Sequence, residues 1–340
     1  MSPAGRNIIL NKFLIICFLL FSGSTAIFCS PSGGSDFFII PANSNTDTIP
    51  KDSVRTDHKV SFYKSDSVFS MHSDKGYIPS LLHNFGAQAT APFHFTKKQW
   101  LYTGGAIAIT GVLFALDGSI DAWAKPQKQD HHWIAVTSPV ATEFGNRYGA
   151  LLVIAIGSAS AVFGKEKGVE TSLLATQAMI TSGVWVRVMK LLTARERPKG
   201  AYIYSHNPSG EWYGPFAQFE IGSSQKRAVF AYDAFPSGHT AIAFAIATVF
   251  ASRYNDTKVV PVLCYSAASI VGVTRLIEHE HWASDVFVGG LIGYLCGKQV
   301  VKHFNETHPG NDNASLLKHQ KKTELNFITS GNQVGISLKW

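Results

Sequence analysis

The tetrapeptide Pro236-Ser237-Gly238-His239 stands directly before an apolar run, Ala241 to Phe250, that is long enough to form a helix. Ser237 is a residue type that commonly caps a helix N-terminus, and Gly238 leaves backbone N–H groups uncovered for a ligand. Because a helix N-terminus carries positive potential, a phosphate group is a suitable occupant beside His239. Taken alone, the stretch predicts either an anion site or plain helix capping followed by a surface histidine.

This run belongs to a series of six apolar segments that begins after Trp100. The segments are residues 101–116, 149–164, 171–192, 239–253, 259–277 and 283–301. Frequent Ala, Gly and Ser in these segments permit close packing of helices. Few of the segments reach the roughly 18 to 20 uninterrupted apolar residues typical of a membrane span. The predicted fold class is therefore all-α, a helical bundle of about six core helices, either transmembrane or water-soluble.

The two ends of the chain differ from this apolar region. Basic residues Arg6 and Lys12 precede an apolar run at 13–21, a pattern typical of an export signal. The last residues, 334–340, alternate apolar and polar types and predict one strand. The predicted organisation is a signal peptide or anchor at 1–30, a disordered polar linker with one short helix near Leu81 at 31–98, a catalytic domain at 99–303 and a tail at 304–340.

Composition narrows the function only slightly. The 340-residue chain has a net charge of +7, which suits anionic substrates or a membrane surface as well as an ordinary basic protein. Its four cysteines lack metal-ligand or CxxC spacing. We therefore expect neither a zinc site nor a disulfide framework.

A second stretch, residues 190–198, brings fixed positive charges. Lys190 precedes Arg197 by seven residues, two helical turns, and Pro198 ends the helix. Arginine can hold phosphate oxygens with two parallel hydrogen bonds, while lysine acts as a point charge. A basic patch near a membrane is the alternative interpretation. Arg195 does not fall on this spacing and is predicted to face solvent.

A third stretch pairs an imidazole with a carboxylate. His281 and Asp285 are four residues apart and share a helix face, where the carboxylate can fix the imidazole tautomer and raise its basicity. Nucleophilic catalysis by histidine needs that arrangement. Arg275 lies at the end of the apolar segment just before it. The alternatives are an interfacial salt bridge with a capping histidine, or metal ligation by His279 and His281, which the charge of Arg275 opposes.

Two acidic residues, Asp117 and Asp121, are also four residues apart, at the end of an apolar segment. Helix capping explains them adequately, so the sequence alone gives them no role in the predicted site.

Together the three stretches resemble the type-2 phosphatidic acid phosphatase and vanadium haloperoxidase superfamily. Its signature has a first motif K-x6-R-P, a second motif P-S-G-H and a third motif S-R-x5-H-x3-D. They are matched here at 190–198, 236–239 and 274–285, within a resemblance that covers roughly residues 100–303. Only Thr274 departs from the signature, because it replaces the usual serine while keeping a hydroxyl. The resemblance implies the all-α phosphatidic acid phosphatase type 2-like fold.

The resemblance also implies a two-step hydrolysis. His281 attacks phosphorus to form a phosphohistidine, Asp285 orients its ring, and His239 protonates the leaving oxygen and then activates water. The phosphate oxygens are held by Lys190, Arg197, Ser237, Gly238 and Arg275. No metal and no cofactor is expected, because fixed cations carry the charge stabilisation.

The predicted function is a metal-independent phosphatase for a lipid phosphate or pyrophosphate, such as phosphatidate, undecaprenyl pyrophosphate or a lipid A phosphate. We expect a membrane as partner, no nucleic acid, and a cell-envelope location with the site on the periplasmic or exported face. The alternatives are a vanadium-dependent haloperoxidase, a soluble periplasmic acid phosphatase, and a non-catalytic envelope protein that binds anionic lipid.

Overall fold

The computed structural model of the chain describes residues 76–215, 217, 232–308, 324–330 and 333–339. The predicted signal peptide at 1–30 and residues 31–75 of the predicted linker lie outside these ranges, so both stay predictions.

The described chain is a helical bundle, which confirms the predicted all-α class. Each of the six apolar segments corresponds to an α-helix, although 149–164 extends two residues beyond the end of its helix, and three further α-helices occur in the described residues. They are α1 Tyr77–Thr90, α2 Lys97–Asp130, α3 His132–Glu143, α4 Arg147–Val162, α5 Glu166–Thr193, α6 Pro198–Ile203, α7 Gly238–Arg253, α8 Val259–Ile277 and α9 Ala283–Thr307.

Local sequence explains where several of these helices begin and end. A capping box starts α2: the Thr96 hydroxyl accepts from the Gln99 N–H at 3.3 Å, and the Gln99 side chain accepts from the Thr96 N–H at 2.8 Å. Helix α5 ends at Ala194, whose φ of 42° lies in the left-handed region. Pro198 then opens α6 at a first-turn position, where its missing N–H costs nothing. The chain between α5 and α6 is thereby fixed at both ends.

Helix α7 lies at the centre of the bundle, against α5, α8 and α9. Small residues let α9 approach it closely. A Cβ added to Gly293 would lie 2.1 Å from the Ala241 carbonyl oxygen, and one added to Gly289 would lie 2.4 Å from the Ser237 carbonyl oxygen. Glycine at these two positions therefore lets α9 lie close to the first turn of α7 and to the loop residue before it.

Helix α1 is joined to the bundle by side-chain amides, which we call the amide cluster. Asn84 donates to Gln177 of α5 at 2.8 Å, Gln299 of α9 donates to Asn84 at 3.1 Å, and Gln88 donates to Gln299 at 3.1 Å. Asn84 and Gln177 are fully buried. The short helix predicted near Leu81 is thus a full part of the bundle, although its sequence was assigned to the linker.

Two described helices, α2 and α8, are long and apolar enough to cross a membrane. Of the 34 residues of α2 only Asp117, Asp121 and Ala124 are buried. Many large apolar side chains of the two helices are exposed instead: Trp100, Leu101, Ile107, Ile109, Val112, Leu116, Val259, Val262, Leu263, Ile270 and Val273. By length and composition, core helices of water-soluble proteins meet the same criterion.

The tail differs from the prediction of a single strand. Two strands, β1 Glu324–Ser330 and β2 Gln333–Lys339, pair antiparallel with Ser330 opposite Gln333. The predicted strand corresponds to β2. The Gly-Asn dipeptide at 331–332 is a hairpin signal that the polar character of the preceding residues concealed.

Candidate active site

The loop that opens α7 and the first turn of α9 are hydrogen-bonded to each other. The Ser237 N–H donates to the Asp285 carbonyl oxygen at 2.9 Å, which joins the second motif to the third. Ser237 occupies the cap position of α7, but its hydroxyl bonds the Thr240 hydroxyl at 2.9 Å instead of a backbone N–H. The first N–H groups of α7 are therefore not capped by this side chain.

The two basic residues of the first motif meet at one carboxylate. Lys190 Nζ donates to the Asp233 carbonyl oxygen at 2.5 Å and to Asp233 Oδ2 at 3.2 Å. Arg197 Nε donates to Asp233 Oδ1 at 2.7 Å. The spacing of the first motif had predicted the two cations but not the acid between them.

A second carboxylate joins the first motif to the third. Glu280 pairs with Arg197 and lies 3.9 Å from Arg275, measured between its Oε2 and Nη2. The Thr142 hydroxyl accepts from Arg275 Nη1 at 3.3 Å and bonds the Thr274 hydroxyl at 2.9 Å. The hydroxyl that Thr274 keeps in place of serine is thus part of the support for Arg275.

These cations converge on the two histidines. Burial, followed by the charges of Arg275, Lys190 and Arg197, lowers the pKa of His239 to about 3. Burial and the same three cations also hold the pKa of His281 well below its usual range. Asp233 bridges Lys190 and Arg197, Glu280 bridges Arg197 and Arg275, and the charges of these three cations act on both imidazoles.

His281 itself is almost fully buried, with 2% of its surface exposed. Its Nδ1 lies 2.7 Å from the Ala234 carbonyl oxygen. A carbonyl oxygen only accepts, so Nδ1 carries the proton and Nε2 of the neutral ring keeps a free lone pair. Asp285 Oδ2 lies 3.7 Å from Nδ1, beyond hydrogen-bond distance. The orienting role of Asp285 stays a prediction. The hydrogen bond that fixes the tautomer is the one that Nδ1 donates to the Ala234 carbonyl oxygen.

The prediction that Arg195 faces solvent is wrong. Its side chain is completely buried and pairs with Asp285 at 2.6 Å and with Asp117 at 2.7 Å. The spacing argument placed Arg195 on a regular helix, whereas α5 ends at Ala194 and the chain turns inward there.

Asp117 and Asp121 are likewise more than capping residues. Asp117 pairs with Arg195, and Asp121 Oδ2 accepts from the Tyr202 hydroxyl at 2.5 Å. Both are buried on the single buried face of α2. Two carboxylates four residues apart in an apolar helix were the available signal, since acids in such segments usually face a functional interior.

His279 and His281 engage different partners, which argues against the alternative of a shared metal. His279 Nδ1 lies 2.8 Å from Asp121 Oδ1, while His281 Nδ1 bonds the Ala234 carbonyl. Among the residues that the structure describes, no group of three or more His, Cys, Asp or Glu side chains is placed to hold a metal ion.

Comparison with known proteins gives two curated relatives. A stretch of 103 residues is 44% identical to the lipid A 1-phosphatase of Porphyromonas gingivalis and covers 29% of this chain and 23% of the relative. Another of 141 residues is 30% identical to lipid phosphate phosphatase 1 of Arabidopsis thaliana and covers 37% of this chain and 42% of the relative. The chain thus spans less than half the length of these relatives.

Two solved structures are also similar. The LpxE crystal structure from Aquifex aeolicus has a TM-score of 0.37 and 24% identity, covering 51% of this chain and 87% of that one. A transmembrane PAP2 type phosphatidylglycerolphosphate phosphatase from Bacillus subtilis has a TM-score of 0.39 and 19% identity, covering 59% and 94%.

The PAP2 superfamily model matches residues 172–308, a range that contains all three motifs. Residues 172–308 therefore belong to the PAP2 superfamily, as the resemblance of the sequence motifs predicted.

Proposed function

We propose that this site hydrolyses a phosphate monoester or pyrophosphate of a lipid through a phosphohistidine intermediate. The observation that carries the proposal is one site in which Asp233 and Glu280 link the three cations Lys190, Arg197 and Arg275, whose charges lower the pKa of both imidazoles. Fixed cations stabilise the charge that spreads over the oxygens of a transferring phosphoryl group. The curated relatives, both phosphatases named for lipid substrates, support the same class of activity.

In the first step, the Nε2 lone pair of His281 attacks phosphorus and the bond from phosphorus to the leaving oxygen breaks. The hydrogen bond from Nδ1 to Ala234 supports this step because it keeps Nε2 unprotonated. His239 gives its proton to the leaving oxygen. In the second step, His239 takes a proton from water, the hydroxide attacks phosphorus, and the P–N bond breaks to release phosphate and free His281.

His239 must carry a proton to act as an acid, although burial and the three neighbouring cations lower its pKa to about 3. The bound phosphoryl group resolves this requirement. Its negative charge offsets the charges of Arg275, Lys190 and Arg197 and so raises the pKa of His239 when substrate binds.

Asp233 and Glu280 offset the positive charge of the three cations. Substrate oxygens compete with these carboxylates for Lys190, Arg197 and Arg275. Such pairs keep long basic side chains ordered before the ligand arrives, which lowers the entropic cost of binding.

A lipid substrate is supported by the exposed apolar sides of α2 and α8. A soluble ester would not need them, whereas a membrane surface would cover them. We propose that these helices hold the protein at the membrane of the cell envelope, with the site on its exported face.

The test is phosphate release by the purified full chain from phosphatidate, undecaprenyl pyrophosphate, lipid A and a soluble aryl phosphate, with and without a metal chelator. We expect release from a lipid substrate in chelator, and a loss of about 10³-fold or more in His281→Ala. His303→Ala, which removes a histidine stacked on His83, is the matched control and should retain activity.

Three outcomes would contradict the proposal. Full turnover by His281→Ala would remove this residue as the nucleophile. Release only from the aryl phosphate would favour a soluble acid phosphatase. Halide oxidation in vanadate without phosphate release would favour a haloperoxidase.

A further inference from the structure

Arg195 lies behind the proposed nucleophile and links three parts of the fold. Its Nη1 donates to Asp285 Oδ1 at 2.6 Å and to the Ser284 hydroxyl at 2.7 Å, and its Nη2 donates to Asp117 Oδ2 at 2.7 Å. Asp117 belongs to α2, whereas Ser284 and Asp285 belong to the first turn of α9. One guanidinium therefore joins a long outer helix to the helix that carries the third motif.

Asp117 closes this network from the other side. Its Oδ1 accepts from the Ser284 N–H at 3.0 Å, and its Oδ2 accepts from the Ser284 hydroxyl at 2.6 Å. The remaining oxygen of Asp285, Oδ2, accepts from the Trp282 N–H at 2.8 Å. Arg195 thus holds one oxygen of the Asp285 carboxylate, and the backbone N–H of Trp282, the residue after His281, holds the other.

Aromatic rings surround the guanidinium of Arg195 and keep water away. Its Cζ lies 5.0 Å from the ring centroid of Phe114, 4.8 Å from that of Trp212 and 5.4 Å from that of Trp282. Arg195, Asp117 and Asp285 all have side chains with no exposed surface. Electrostatic interactions in such a dry setting are far stronger than at the surface.

We propose that Arg195, anchored by Asp117, is a positioning residue of the hydrolytic site that holds the Asp285 carboxylate beside His281. The proposal rests on the proposed function, because it assigns Arg195 a part in that same reaction. Arg195 acts through Asp285 and does not itself touch the phosphoryl group.

The charges around Asp285 give this arrangement a measurable consequence. Burial raises the pKa of Asp285 to about 6, the positive charge of Arg195 opposes that rise, and Asp117 adds to it. Lys190 and His281 are the other titratable groups that face this carboxyl. Loss of Arg195 removes the opposing charge, so Asp285 would stay protonated at neutral pH and no longer support a positive charge on His281.

The test compares Arg195→Gln and Arg195→Lys with the natural protein in kcat, KM, their pH dependence and inhibition by vanadate. We expect kcat to fall about 10²-fold in Arg195→Gln, since misplacing a supporting group by an ångström has effects of that size. The acid limb of the kcat profile should move to higher pH. KM and vanadate inhibition should change less than about threefold, because Lys190, Arg197 and Arg275 are untouched. Arg195→Lys keeps the charge and should restore part of kcat.

Arg253→Gln is the matched control. Arg253 is also buried, pairs with Glu170 at 2.7 Å and lies 4.7 Å from the ring centroid of Phe304, away from the site. The Arg253→Gln variant should lower thermal stability as Arg195→Gln does, but leave the pH dependence of kcat unchanged.

A pH profile for Arg195→Gln equal to that of Arg253→Gln would overturn the inference, provided that His281→Ala is inactive. An active His281→Ala would instead overturn the proposed nucleophile. If Arg195→Gln does not fold, Ser284→Ala removes a single partner of Arg195. For Ser284→Ala, a small shift of the acid limb of the kcat profile to higher pH supports the inference. An acid limb at the same pH as in the natural protein refutes it.

Discussion

Lys190 and Asp233 are hydrogen-bonded twice, through the carbonyl oxygen at 2.5 Å and the carboxylate at 3.2 Å. The two residues are 43 positions apart in the chain, in the first motif and just before the second. The same carboxylate pairs with Arg197. The Asp233 carboxylate thus pairs with Lys190 and Arg197, two of the cations proposed to bind phosphate.

Replacing Asp233 by Asn should strengthen anion binding at pH 6. The variant removes a carboxylate that competes with the ligand for Lys190 and Arg197, so we expect vanadate inhibition to tighten by about threefold to tenfold. The gain should shrink above pH 8. Burial already lowers the pKa of Lys190 to about 8 while Asp233 opposes that shift, so the variant loses the lysine charge sooner as pH rises.

The control for this change is Asp256→Asn, which removes an exposed acid paired with Lys167 at 3.4 Å. Its vanadate inhibition should not change. Weaker inhibition of Asp233→Asn at pH 6 would mean that the carboxylate orders the cations more than it competes for them.

Binding of a phosphate analogue should be accompanied by proton uptake at His239. Burial and three nearby cations lower the pKa of this group to about 3, and a bound anion raises it. More protons are bound in the complex, so affinity should rise as pH falls below the pKa of His239 in the complex and level off near the pKa of about 3 that it has without the anion. Calorimetric titration with vanadate in buffers of different ionisation enthalpy measures the uptake.

His239→Asn provides the reference for that titration, because vanadate itself titrates. The difference in proton uptake between the natural protein and this variant should approach one proton at neutral pH. An equal uptake by both proteins would remove His239 as the group that is protonated.

The close contact between α7 and α9 can be tested with alanine. A Cβ at Gly293 would lie 2.1 Å from a backbone carbonyl, whereas a Cβ at Gly104 of α2 has nothing within 4 Å. We expect Gly293→Ala to lower the free energy of unfolding by about 1–3 kcal/mol. Gly104→Ala should be neutral or slightly stabilising, because alanine favours helix. Thermal or urea denaturation in detergent checks both, and equal stabilities would contradict the described packing.

Helices and motif residues could be predicted because their signals are local. Apolar run length located six helices, and the spacing in each motif named the cations and histidines that the structure brings together. The carboxylates of Asp233 and Glu280 gave no such signal, since each lies among residues that the signature leaves unspecified. Their role depends on which charges meet across the bundle.

Arg195 and Asp117 were missed for a related reason. Each has an ordinary explanation in its local sequence, as a solvated base or a capping acid. Their burial arises only because α2 lies against the start of α9, a tertiary contact that periodicity does not encode. A local pattern therefore identified the groups proposed to meet the substrate but not the residues behind them.

The amide cluster also determines where this protein could be truncated for expression. A recombinant fragment starting at residue 99, the predicted start of the catalytic domain, would remove the contacts of Asn84 and Gln88 with α5 and α9. Gln177 would then lose the Asn84 amide that satisfies it inside the protein. A stable fragment should therefore begin no later than Tyr77, so that it keeps the whole of α1.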